Sequence, residues 1–149
     1  MGDTMKKVFG SITALVLTTV LVGACGSGSY DADDKTSNDI SGTLKEWSVE
    51  VDATSAKAGE VEFSIKNEGT IGHEFLVVKT DIADGEIPLV GDRFEEPSEG
   101  IEVIDEIGEY PAGETKELKL TLDSGNYQLV CNLAGHYEAG MHTTFTVVD

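Results

Sequence analysis

At 149 residues the chain has room for one domain with one hydrophobic core, and its 40% hydrophobic content, 17 Gly and three Pro exclude a disordered or collagen-like polymer. Its 28 acidic residues against 10 basic ones give a formal charge of −18, which excludes nucleic acid and an anionic membrane surface as partners because both would repel it. The same charge either steers a basic protein partner or simply solvates the surface.

The chain opens with Lys6 and Lys7, an apolar run from Val8 to Val22 and then Gly23-Ala24-Cys25. Basic residues, a short apolar stretch and small residues before a cysteine have the form of a bacterial lipoprotein export signal, cleaved ahead of Cys25, which would carry the lipid. The other reading, an uncleaved transmembrane anchor, suits the run less well because it is short and rich in hydroxyls. Residues 1–24 are therefore expected to be a signal peptide, and 25–41, small, polar and acidic, a flexible tether. Residues 42–149 are expected to be the folded domain. Loss of Lys6, Lys7 and Asp3 would leave 27 acidic against 8 basic residues, a formal charge of −19. An exported protein of this kind would sit in the periplasm or on the cell surface, touching the membrane only through its lipid.

From residue 43 the pattern acquires period two. Trp47, Val49 and Val51 alternate with polar residues, and Val61, Phe63 and Ile65 repeat the pattern, each the mark of a half-buried strand. After turn-forming residues 66–70, His73-Glu74-Phe75-Leu76-Val77-Val78 suits a strand covered on both faces. Residues 80–100, broken by Gly85, Pro88, Gly91, Pro97 and Gly100, read as a surface crossover with one short helix. Further strands are expected around Ile101–Ile107, Leu118–Leu122, Tyr127–Cys131 and Phe145–Val147. About seven to eight short strands with frequent turns predict an all-β Greek-key sandwich.

With Cys25 lipidated, Cys131 is the remaining thiol of an exported chain and has no disulfide partner. Such a cysteine is buried, reactive or bound to a metal. It opens the stretch Cys131-Asn132-Leu133-Ala134-Gly135-His136-Tyr137-Glu138-Ala139-Gly140-Met141, with His and then Met at intervals of five. Taken singly, each is an ordinary packing or turn residue. With three His and three Met in the chain, both falling at these offsets by chance has odds of about 1 in 2,500, or roughly 1 in a few hundred if several loop lengths are accepted. A loop between adjacent strands can converge three side chains, and His73, at the head of its own strand, is the candidate fourth. Two imidazoles, a thiolate and a thioether suit a copper ion that passes between Cu(I) and Cu(II). His142 follows Met141, and strand alternation turns it away from Met141's side. The carboxylates from Glu95 to Glu109 form either a docking face or a solvated one.

This pattern resembles the cupredoxin family, in particular its rusticyanin- and sulfocyanin-like members, which have four residues between Cys and His and four between His and Met. The resemblance spans residues 43–149 and includes Gly-His at 72–73 and 135–136. Ala134 stands where the family often has Pro, and Glu74 where it often has Asn or Ser. The resemblance implies one type 1 copper held by His73, Cys131 and His136 with Met141 axial. It also implies an apolar patch of Leu133, Ala134, Tyr137 and Ala139 around an outward-facing His136, and a monomer exchanging single electrons with a cytochrome or a membrane oxidase or reductase. A carrier that delivers the copper ion itself is the alternative, less suited to a chain without Met-rich or His-rich tracts. An enzyme is not expected, since copper enzymes on this fold need a second site and more histidines.

Overall fold

The computed structural model describes residues 35–149. The signal segment, Cys25 and residues 26–34 of the expected tether lie outside the described residues. Nine strands form two sheets: β1 (Asp39–Lys45), β2 (Ser48–Val51), β3 (Ser55–Lys57), β4 (Gly59–Asn67), β5 (His73–Lys79), β6 (Glu102–Tyr110), β7 (Thr115–Leu122), β8 (Gly125–Val130) and β9 (His142–Val148). One sheet runs β2-β1-β4-β7 and the other β3-β9-β8-β5-β6. Pairing is antiparallel except between β1 and β4 and between β3 and β9.

Period two explains the first sheet. Val61, Phe63 and Ile65 of β4 point inward and are fully buried, while Glu60 and Lys66 face solvent. Phe63 lies between the sheets, with ring centroids 5.4 Å from Phe75 and 5.6 Å from Phe145. Burying each of these rings contributes about 2–3 kcal/mol before the entropy of ordering is counted.

The continuous apolar run of β5 has a different cause. Phe75 and Val77 enter the core between the sheets, whereas Leu76 and Val78 enter a second core with Ile87, Phe94, Ile101, Val130 and Tyr137. The crossover at 80–101 covers that second core, so β5 is buried on both faces.

Two expectations need correction. The crossover holds no helix; it is irregular, with isolated bridges Val90–Arg93 and Ser98–Ile101, because two prolines and three glycines interrupt every possible run of helical bonds. The tether also ends before residue 41. β1 starts at Asp39, Ile40 is buried, and Asn38 acts as a clasp. The Asn38 amide donates to the carbonyls of Lys57 and Glu60 and accepts from the Lys57 N–H.

β5 runs antiparallel to β8, which runs antiparallel to β9. The head of β5, the end of β8 and the head of β9 therefore meet at one end of the sandwich.

Candidate metal centre

His73 is the first residue of β5, Cys131 follows the last residue of β8, and Met141 precedes β9. A register shift between His73 and Phe75 re-aims the strand head where it pairs with β6. The ladder between β8 and β9 continues one step beyond Val130–His142, with the Cys131 N–H donating to the Met141 carbonyl at 2.9 Å. Between these ends the chain winds back on itself. The His136 N–H bonds the Leu133 carbonyl at 2.8 Å, and the Met141 N–H bonds the His136 carbonyl at 3.1 Å. This winding turns the five-residue spacing into convergence.

One ligand atom from each of His73, Cys131 and His136 lies within 4.8 Å of the others. His73 Nδ1 and His136 Nδ1 are 3.3 Å apart, and Cys131 Sγ is 3.4 Å from His136 Nδ1. A first-row ion with ~2.0–2.1 Å bonds to nitrogen and ~2.3 Å to sulfur separates its ligand atoms by about 3.5 Å, so the three fit around one ion. His73 and Cys131 are fully buried and His136 is 8% exposed. Met141 is fully buried beside them in the chain, bonded through its backbone to both Cys131 and His136.

Burial governs the electrostatics. It lowers the pKa of both imidazoles, favouring the neutral form whose lone pair can ligate. It pushes the Cys131 thiol up to about 11, against the pull of the Glu74 and Leu133 N–H groups. The Glu74 N–H reaches Cys131 Sγ at 3.5 Å, and Glu74 Oε1 accepts the Asn132 N–H at 2.8 Å. A carboxylate thus ties the two ligand segments together at the position where the family resemblance implies Asn or Ser.

The ligand loop is braced from outside by the crossover. Asn132 accepts the Phe94 N–H and donates to the Phe94 carbonyl, both at 3.0 Å, and donates to Glu96 at 2.7 Å. The Gly135 N–H donates to the Asp92 carbonyl at 2.7 Å. Tyr137 is buried in the second core, where its hydroxyl donates to Gln128 and accepts the Ile87 N–H. It therefore does not belong to the patch expected around His136. His142 pairs with Asp84 at 2.9 Å and packs on Tyr137, outside the His73, Cys131 and His136 cluster.

Sequence reasoning missed Glu46 and Trp47. Trp47 is not on a strand: with Glu46 it forms the tip between β1 and β2, 48% exposed, its ring edge-on to His136 at 5.1 Å. The available signal was the step of three from Leu44 to Trp47, which breaks the period of two and marks a two-residue turn. Glu46 Oε1 accepts the N–H groups of Thr70 and Ile71 at 2.7 and 3.0 Å. The Thr70 bond comes first among the interactions that hold this carboxyl down to about 2.

Neither a protein-family model nor a curated protein matches the chain. Solved structures do. A dithionite-reduced auracyanin from the photosynthetic bacterium Roseiflexus castenholzii is 20% identical with a TM-score of 0.58, covering 77% of this chain and 100% of its own. Auracyanin A, described as a "blue" copper protein from Chloroflexus aurantiacus, is 22% identical with a TM-score of 0.54, covering 76% and 99%. A reduced rusticyanin is 18% identical with a TM-score of 0.55, covering 81% and 88%. At these identities the likeness is one of fold.

Proposed function

On this cupredoxin fold, we propose, the chain is a blue (type 1) copper protein that carries single electrons between redox partners, with His73, Cys131, His136 and Met141 as ligands. The observation that carries the reading is the buried convergence of His73, Cys131 and His136 within 4.8 Å, with Met141 closing the same loop. Copper bound there would supply one-electron chemistry, since thiolate and thioether suit Cu(I) and imidazole suits Cu(II). Cys131 would bind as thiolate, releasing its proton to solvent on loading. His73 and His136 bring their Nδ1 atoms within 3.3 Å of each other, and the bonds from Glu74 and Asn132 hold the ligand segments in place. Little rearrangement is then needed when an electron comes or goes.

His136, the least buried of the three clustered residues, faces the partner. Trp47 and Ile71, 48% and 43% exposed, with Leu133, Ala134 and Ala139, supply a small apolar contact at this end, suited to a transient complex. The acidic surface favours a basic redox protein such as a cytochrome. Lys6, Lys7, the apolar run and Cys25 support an exported, lipid-anchored location, and among the described residues no helix is long and apolar enough to cross a membrane. Delivery of the copper ion itself is the competing reading. Stopped-flow mixing of the copper-loaded chain with a reduced cytochrome, beside mixing with a copper-free chelating protein, separates the two. Fast oxidation of the cytochrome with copper retained supports the carrier; transfer of the ion without electron exchange contradicts it.

A further inference from the structure

The ligands come from the sheet that contains β5, β8 and β9, yet the residues touching both imidazoles from outside come from the other sheet. We propose that Glu46 and Trp47, the tip of the β1–β2 hairpin, are positioning residues that clamp the metal centre: Glu46 fixes the His73 ring, and Trp47 covers the solvent side of His136. This inference rests on the copper reading of the site.

His73 turns Nδ1 toward His136, so a ring bound through Nδ1 keeps its proton on Nε2. His73 Nε2 is buried and has no hydrogen-bond partner in its present alignment. Its nearby acceptor is Glu46 Oε1, 3.4 Å away. That oxygen is not free to wander, because the Thr70 and Ile71 N–H groups and the Thr70 hydroxyl all donate to it. A carboxylate held against the far nitrogen of a ligating histidine sets ring orientation and ligand basicity.

Two glycines clear the space the clamp needs. A Cβ on Gly69 would stand 2.7 Å from both Glu46 Oε1 and His73 Nε2, so a methyl there would wedge into the contact. A Cβ on Gly140, at φ +116°, would stand 3.2 Å from the Trp47 carbonyl, where the tip rests on the ligand loop. Trp47 belongs to neither hydrophobic core, so packing does not account for its position. Its ring meets His136 edge-on at 5.1 Å, and the His136 side chain is only 8% exposed.

The test uses the full chain loaded with one equivalent of Cu(II). Glu46→Gln keeps an acceptor for Thr70 and Ile71 but removes the charge facing Nε2. Gly69→Ala leaves Glu46 intact and displaces it. Glu50→Gln, on the outer side of the same hairpin, is the control. Release of copper to a chelator is expected to quicken about 10-fold or more in the first two variants and to stay unchanged in the control. The copper–thiolate band should persist in all three. Trp47 is the sole tryptophan, so its emission reports the tip directly, and copper loading should quench most of it. Wild-type release rates in both Glu46→Gln and Gly69→Ala, or emission indifferent to copper, would overturn the clamp while leaving the copper reading standing. Absence of the band in the unmutated protein would overturn both.

Discussion

Asn132→Ala tests whether the crossover braces the ligand loop. The side chain is 4% exposed and makes three bonds: two with the Phe94 backbone at 3.0 Å and one with the Glu96 carboxylate at 2.7 Å. Each buried Phe94 bond contributes about 1 kcal/mol net. A groove of about 550 Å³ lined by Asn132, Phe94 and Glu96 admits water to the Glu96 side, so that bond adds less than a buried charged one. The expected loss is about 2–3 kcal/mol, a large share of the ~5–15 kcal/mol typical of a domain. Urea unfolding of the metal-free, reduced protein should show a lower midpoint with an unchanged slope. Asn126→Ala is the internal comparison, since its bond to Asp81 is exposed and should be worth less than about 0.5 kcal/mol. A loss in Asn132→Ala no larger than in Asn126→Ala would refute the brace.

Phe63→Ala, which opens a hole between Phe75 and Phe145, should cost about 3–5 kcal/mol in thermal or denaturant unfolding, and a loss below ~1.5 would mean the sheets do not rely on this cluster. His142→Ala breaks a partly exposed pair with Asp84 and should cost less than about 1 kcal/mol while leaving the Cu(II) spectrum unaltered; a changed spectrum would bring His142 into the site. Glu74→Gln keeps an acceptor for the Asn132 N–H but removes a negative charge beside Cys131, so voltammetry should show a higher reduction potential. An unchanged or lower potential would show that this carboxylate does not act on the site as a charge.

Where pattern and burial coincide, the sequence was readable. Val61, Phe63 and Ile65 alternate because one face of β4 is wet, and β5 runs apolar because the crossover adds a second core. Cys131, His136 and Met141 were legible because their spacing lies within one loop. Long-range pairing leaves weaker marks. β1 has only Ile40 and Leu44 fully inside, and its parallel partner β4 begins 14 residues after β1 ends, so its first three residues, Asp39 to Ser41, read as tether. Tyr137 looked like a surface residue because its burial depends on Ile87 and Phe94, contributed by the irregular crossover. Glu46 and Trp47 meet the histidines across the sandwich, and no local periodicity encodes that approach.

The central claim is that Cys131, with His73 and His136, holds copper as a thiolate. Its most direct test is the visible and electron paramagnetic resonance spectrum of the full chain with one equivalent of Cu(II), beside Cys131→Ala. An intense copper–thiolate charge-transfer band that bleaches reversibly with ascorbate and is absent from Cys131→Ala is the predicted result. A folded, copper-loaded protein without that band, or one whose band survives Cys131→Ala, would contradict it.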